Sequence, residues 1–290
     1  MSVFLINNRG VSMQEKICMV TGATSGIGEV TALELARQGA IVVLVGRDRE
    51  RSEKVVLKIR EEIPATNVQY LLADLSSQAE IHRLAEEFKT KFDRLDVLVN
   101  NAGGFFFKRK LSVDGIEMTF ALNHLSYFLL THLLMDSLKA SAAARVVIVS
   151  SNAHKKHQLN FKDLQNEYRY HGLKAYGRSK LANILFSYEL ARQLNNTDIA
   201  VNAVHPGLVS TNIGNNNGWL ISKIWSFITR NELTPEDGAL TNIYLACSPE
   251  VEGVSGKYFV REEAVCSNPA SYDLASAHLL WEISNQMVNL

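Results

Sequence analysis

Short, mostly apolar runs recur along this chain, separated by longer stretches in which apolar residues return every three or four positions. The runs fall at residues 17–20, 41–45, 68–72, 95–99, 146–149, 199–204 and 257–259. They are dense in Val, Ile and Leu, as strands buried on both faces are. Between the first two runs, Val30, Leu33, Leu35 and Ala36 keep helical spacing. Residues 78–91, 116–137, 176–193 and 235–247 also read as helices. The alternation has no linker, internal repeat or low-complexity tract. It predicts an N-terminal extension, 1–13, followed by a single α/β domain, 14–290, built on a doubly wound parallel sheet. In such a sheet a ligand sits at the carboxyl ends of the strands.

The first run ends in Thr21-Gly22-Ala23-Thr24-Ser25-Gly26-Ile27-Gly28, followed by a helix. Strand, glycine-rich turn and helix form a pyrophosphate cradle, because glycines let backbone N–H groups approach an anion at a helix N-terminus. The spacing is Gly-x-x-x-Gly-x-Gly, not the usual Gly-x-Gly-x-x-Gly. A strand at 41–45 completes the βαβ unit of a Rossmann fold. At its end an acid would bond the adenosine ribose of NAD. Here Gly46 is followed by Arg47, which can pair with a 2′-phosphate, so the expected cofactor is NADP(H).

Tyr176 and Lys180 lie four apart in the helix expected over 176–193, on one face. An ammonium beside a phenol favours phenolate and is expected to draw the Tyr pKa down from about 10. Such a Tyr can exchange a proton with an alcohol or alkoxide. Ser150 and Ser151 end the run at 146–149. Strand alternation allows only one of them to face the cleft.

These motifs, with Asn100-Asn101-Ala102-Gly103, Asn123 and Pro206-Gly207, stand in the order found in the short-chain dehydrogenase/reductase family, which the chain resembles over most of its length. Within it, 149–154, 179–186 and 204–207 look most like the retinol dehydrogenase-like group. The resemblance implies an NADP(H)-dependent oxidoreductase with Asn123, Ser151, Tyr176 and Lys180 as catalytic residues. Ser151 would bond the substrate oxygen, Tyr176 would be the acid/base, and Lys180 would also hold the nicotinamide ribose. Asn123 would hold a water linking Lys180 to solvent. Gly22, Thr24, Ser25, Gly26, Ile27 and Gly28 would line the pyrophosphate, and Asp74 would contact the adenine. Asn101, Ala102 and Gly103 would form the floor under the cofactor. Pro206, Gly207 and Val209 would flank the nicotinamide, with Thr211 near the phosphates. Ser151 and Tyr176 are further apart than is usual in the family, and 154–173 between them carries His154, His157 and His171. His154-x-x-His157 lacks further ligands of zinc spacing, so no metal is expected.

The chain has 290 residues, 47% of them hydrophobic, and a formal net charge of zero, which gives no reason to expect a nucleic-acid partner. Three cysteines without a Cys-x-x-Cys pair fit a reducing, cytoplasmic setting. The apolar stretch 3–6 is too short to span a bilayer, so neither a membrane anchor nor a secretory signal is expected. Residues 212–232 read as a substrate lid, with Trp219, Leu220, Ile221, Ile224, Trp225, Phe227 and Ile228. Phe105 to Phe107 would form the opposite wall, and Lys108-Arg109-Lys110 a solvated rim. The expected substrate is an apolar carbonyl or alcohol, with reduction of a lipophilic aldehyde or ketone favoured. NAD-dependent oxidation of an alcohol, or a catalytically weak nucleotide sensor, stays as an alternative. The helices 116–137 and 176–193 are apolar on more than one face, which makes a homo-oligomer an expectation.

Overall fold

A computed structural model of the chain describes residues 13–207 and 234–290. Seven parallel strands, β1 (Ile17–Thr21), β2 (Ile41–Gly46), β3 (Val68–Leu72), β4 (Val97–Asn100), β5 (Arg145–Val149), β6 (Ala200–His205) and β7 (Tyr258–Val260), form one sheet with an antiparallel edge strand, β8 (Glu263–Val265). The order is β3-β2-β1-β4-β5-β6-β7-β8, so the chain reverses its winding between β1 and β4. The doubly wound sheet is therefore as expected, apart from the antiparallel edge.

The unbroken apolar runs follow from burial on both faces. Ile17 and Met19 of β1 join one core cluster, and Cys18 and Val20 the other. Val146 and Ile148 of β5 alternate with Val147 and Val149 in the same way. One cluster lies under α1 (Gly26–Arg37), α2 (Arg49–Glu62) and α8 (Pro235–Cys247). The other lies under α3 (Gln78–Lys91), α5 (Ser126–Leu133), α7 (Gly172–Gln193) and α9 (Leu274–Val288). Helix starts follow local chemistry. The Asp48, Ser77 and Asp273 side chains accept backbone N–H groups at the starts of α2, α3 and α9, and Thr234 with Asp237 forms a capping box ahead of Pro235.

The helix expected over 116–137 is broken. A short α4 (Met118–Phe120) passes into a π-turn (Ala121–Leu125), then α5, then α6 (Met135–Lys139). No Pro or Gly marks the π-turn, which is stabilised by tertiary bonds to Asn123 described below. Helices α2 and α9 were not among the expected elements. Helix α9 packs against α5 and α7. Trp281 packs on Phe128 and Phe186 with ring centroids 5.1 and 5.9 Å away, and His124 Nε2 meets Ser284 Oγ at 3.0 Å. The chain's own C-terminal helix thus lies on part of the surface where a homo-oligomer was expected to join.

Met13, assigned to the N-terminal extension, is buried in the core. The rest of that extension, Val209, Thr211 and the lid at 212–232 lie outside the described residues. Among the described residues no helix is long and apolar enough to cross a membrane.

Candidate active site

The glycine turn leaves β1 at the winding reversal, and β4 braces it. Thr21 Oγ1 accepts the N–H of Asn101 (2.8 Å) and of Ala102 (3.0 Å) and donates to the Val99 carbonyl (3.2 Å). Asn101 Nδ2 donates to the Thr21 carbonyl at 2.8 Å. Gly22 has φ +65°, and a Cβ on it would lie 2.8 Å from Ala102 Cα. A Cβ on Gly28 would lie 2.4 Å from the Gly22 carbonyl oxygen, so this glycine seats α1 against the turn. Ser25, the residue before α1, makes no side-chain cap, which leaves the helix start to accept an anion. These features fit a pyrophosphate. Asn101 and Ala102, expected with Gly103 as a floor under the cofactor, hold the cradle in shape.

Arg47 is exposed just beyond β2. A Cβ on Gly46 would meet Thr24 Cγ2 at 2.5 Å and Ser52 Oγ at 2.9 Å. A larger residue here would therefore have to displace the Thr24 and Ser52 side chains, independently of cofactor charge. Asp74 is exposed after β3, and its Oδ1 accepts the Ser76 N–H (2.9 Å) and hydroxyl (2.7 Å). Asp74 thus also braces the turn into α3.

Asn123 is fully buried in the π-turn. Its Oδ1 accepts the Gly104 N–H (2.8 Å), and its Nδ2 donates to the Gly104 carbonyl and to Ser179 Oγ (3.0 Å each). The side chain is thus engaged with the loop after β4 and with α7. Such π-turns occur at functional sites, where an added residue redirects a side chain.

The two serines divide as alternation requires. Ser150 Oγ is buried and donates to the Lys180 carbonyl at 2.7 Å. Ser151 is partly exposed; its Oγ accepts the Ala153 N–H at 3.2 Å and stands close enough to the Tyr176 hydroxyl to lower its pKa. Lys180 Nζ donates to the Val149 carbonyl at 3.0 Å and stands 5.7 Å from the ring centroids of both Tyr176 and Tyr127. Burial pushes the Tyr176 phenol up to about 12, and the neighbouring Ser151 hydroxyl only partly offsets this. Burial drives Lys180 down to about 7. Loss of hydration is the larger influence on the phenol here, and it acts in the opposite direction to the one expected from Lys180.

The wide interval between Ser151 and Tyr176 leaves the pair intact because it folds as an excursion docked on the loop after β4. Tyr170 Oη donates to the Phe106 carbonyl (2.8 Å), and α7 begins four residues before Tyr176. Phe105 is buried edge-on to the Tyr176 ring, with centroids 5.8 Å apart, while Phe107 is exposed. Lys108 and Lys110 are exposed, while Arg109 is partly buried and donates to the Gln165 carbonyl. Pro206 and Gly207 follow β6 and are partly exposed, with Gly207 at φ +89°.

Sequence reasoning passed over Thr21 and Tyr127. Thr21 was legible as a hydroxyl at the end of a buried strand. Tyr127 lies one turn beyond Asn123, with its hydroxyl buried and without a hydrogen-bond partner among the described residues.

The family profile described as short chain dehydrogenase matches residues 16–218. The chain is 43% identical to retinol dehydrogenase 14 of Mus musculus, over 96% of this chain and 87% of that protein. A solved structure of an uncharacterised protein from Mycobacterium Paratuberculosis superposes with a TM-score of 0.79 at 32% identity, covering 96% of this chain and 95% of that one. The NADP active-site complex of RhlG from Pseudomonas aeruginosa has a TM-score of 0.69 at 29% identity, covering 86% and 95%. Family profile, relatives and fold agree with the site geometry, and the chain belongs to the short-chain dehydrogenase/reductase family.

Proposed function

We propose that this oxidoreductase uses NADP(H) to reduce a lipophilic aldehyde or ketone to the alcohol. The observation that carries the reading is the meeting of Ser151, Tyr176 and Lys180 at the carboxyl end of β5, beside the glycine cradle. When bound, the nicotinamide supplies or accepts hydride. The chain's own residues handle the proton. With a pKa pushed up to about 12, Tyr176 is a neutral phenol at pH 7, which is the form needed to protonate a developing alkoxide. Ser151 holds the carbonyl oxygen against that phenol. Lys180, near neutrality, returns protons to the site and would bond the ribose when the cofactor is present. Asn123 fixes the loop that carries Gly103 and Gly104 over this pair.

Gly22, Thr24, Ser25, Gly26, Ile27 and Gly28 hold the pyrophosphate, Asp74 the adenine, and Asn101, Ala102 and Gly103 the underside of the cofactor. Pro206, Gly207, Val209 and Thr211 take the nicotinamide side. Arg47 pairs with the 2′-phosphate and selects NADP(H). The NADP complex of RhlG supports that choice. Phe105 beside Tyr176, the apolar sequence at 214–231 and the likeness to a retinol dehydrogenase support a lipophilic substrate. A cytoplasmic setting is consistent with three unpaired cysteines.

Fluorescence titration with NADPH and NADH, followed by loss of nicotinamide absorbance on adding decanal, all-trans-retinal or a polycyclic ketone, tests the reading. Tighter binding of NADPH with consumption by at least one carbonyl is the expected result. Binding without turnover in either direction would favour a sensor, and NADH preference with alcohol oxidation the reverse dehydrogenase.

A further inference from the structure

His154 and His157 hold no metal role in the sequence, yet they sit on the turn that presents Ser151. That turn is a 3₁₀ helix, Asn152–Lys156. His154 is fully buried, with Nδ1 2.6 Å from the Ser151 carbonyl oxygen and Nε2 3.0 Å from the backbone nitrogen of Asn268. A carbonyl only accepts and a backbone N–H only donates. The imidazole is therefore the neutral tautomer with its proton on Nδ1, and both nitrogens are matched.

Asn268 adds a second hold. Its Nδ2 lies 2.9, 3.1 and 2.8 Å from the carbonyl oxygens of His154, Lys155 and His157. Asn268 is itself anchored: its Oδ1 caps the 3₁₀ helix Pro269–Tyr272, and the neighbouring Ser267 hydroxyl meets Tyr188 Oη of α7 at 2.8 Å. The turn also rests directly on α7. A Cβ on Gly177, the residue after Tyr176, would lie 2.0 Å from His157 Cδ2 and 2.9 Å from the Ala153 carbonyl oxygen. Both ends of the clamp thus refer to the helix that carries Tyr176.

We propose that His154 and Asn268 are positioning residues that fix the Ser151 hydroxyl relative to Tyr176, tying the C-terminal segment 266–272 to the reacting geometry. The inference rests on Ser151 as the hydroxyl that bonds the substrate oxygen. Its physical basis is that a displacement of about 1 Å in a reacting group can cost roughly a hundredfold in rate.

The test is reduction of decanal or all-trans-retinal by NADPH, with cofactor affinity measured separately by fluorescence. His154→Phe keeps an aromatic ring and loses both hydrogen bonds. It is expected to lower kcat by about tenfold or more while leaving the NADPH Kd unchanged. His154→Asn, whose amide can still donate to the Ser151 carbonyl, is expected to recover part of the loss. In a Ser151→Ala background, His154→Phe should add no further loss, because its effect passes through Ser151. Asn268→Ala carries the same test from the other side of the contact if His154→Phe does not fold.

Wild-type kcat in both His154→Phe and Asn268→Ala would overturn the proposal. So would a loss that multiplies with that of Ser151→Ala, or one matched by an equal fall in NADPH affinity. Full turnover by Ser151→Ala, or none by the wild type with either aldehyde, would instead remove the active-site reading, and the positioning role with it.

Discussion

Lys180 Nζ donates to the carbonyl of Val149, two residues before Ser151 on the strand end that delivers it, at 3.0 Å. One bond thus ties the helix bearing Tyr176 to the strand bearing its serine partner. Ser150 repeats the tie in the opposite direction, from its hydroxyl to the Lys180 carbonyl at 2.7 Å. The geometry of the pair is therefore held by Ser150 and Lys180 before any substrate arrives.

Tyr176→Phe removes only the phenolic group, since the glycine cradle lies on other elements. Turnover should fall by about 10²–10⁴-fold with NADPH affinity almost intact. Near-native turnover in this variant would refute the assigned acid.

Lys180 gives a stability test with a definite sign. Its folded pKa of about 7 lies below the unfolded value near 10.5, so the folded state disfavours the proton. Between those values the unfolded chain binds more protons, and stability rises with pH. Lys180→Met removes this dependence. Its Tm relative to wild type should be highest below pH 7 and fall as pH rises toward 9. A difference that does not change with pH would contradict the buried, neutralised lysine. The same variant should lose turnover and cofactor affinity together.

At the end of β2 the two neighbours behave differently. Arg47→Ala should raise the Michaelis constant for NADPH by about tenfold, the low end for a charge-assisted bond at an exposed site, and barely change that for NADH. Equal efficiency of the wild type with both cofactors would remove the NADP assignment. Gly46→Asp would exchange one preference for the other if charge alone decided. The contacts with Thr24 and Ser52 predict instead a loss of about 1–3 kcal/mol from overpacking, with weaker binding of both cofactors. Thermal melts beside the two Michaelis constants separate these outcomes.

The C-terminal helix makes the oligomer question specific. Trp281→Ala should cost up to about 3 kcal/mol, below the range for a fully buried Trp because the ring is only partly covered. It should also favour self-association, since the face of α5 and α7 is uncovered. Light scattering should show more association in the variant than in wild type. If the wild type is already the larger species, another surface joins the copies.

Strand positions, the glycine cradle and the Tyr176–Lys180 helix were legible in the sequence because each rests on local periodicity or on backbone demands that few residues meet. Seven of the eight strands followed from apolar runs buried on both faces. The three-residue β8 gives no such signal, since all its residues are exposed. Ser151 over Ser150 needed only strand alternation and the resemblance. The rest depends on partners distant in the chain. The π-turn at Asn123 is held by Gly104 and Ser179, which take its side chain, and Gly46 lies close against the Thr24 and Ser52 side chains. The hold on the Ser151 turn comes from Asn268, more than a hundred residues away. Spacing placed Lys180 beside Tyr176 but reports proximity, not burial, and so gave no sign of the desolvation that acts on both groups. Desolvation is a property of the packed interior, and only the tertiary structure decides it.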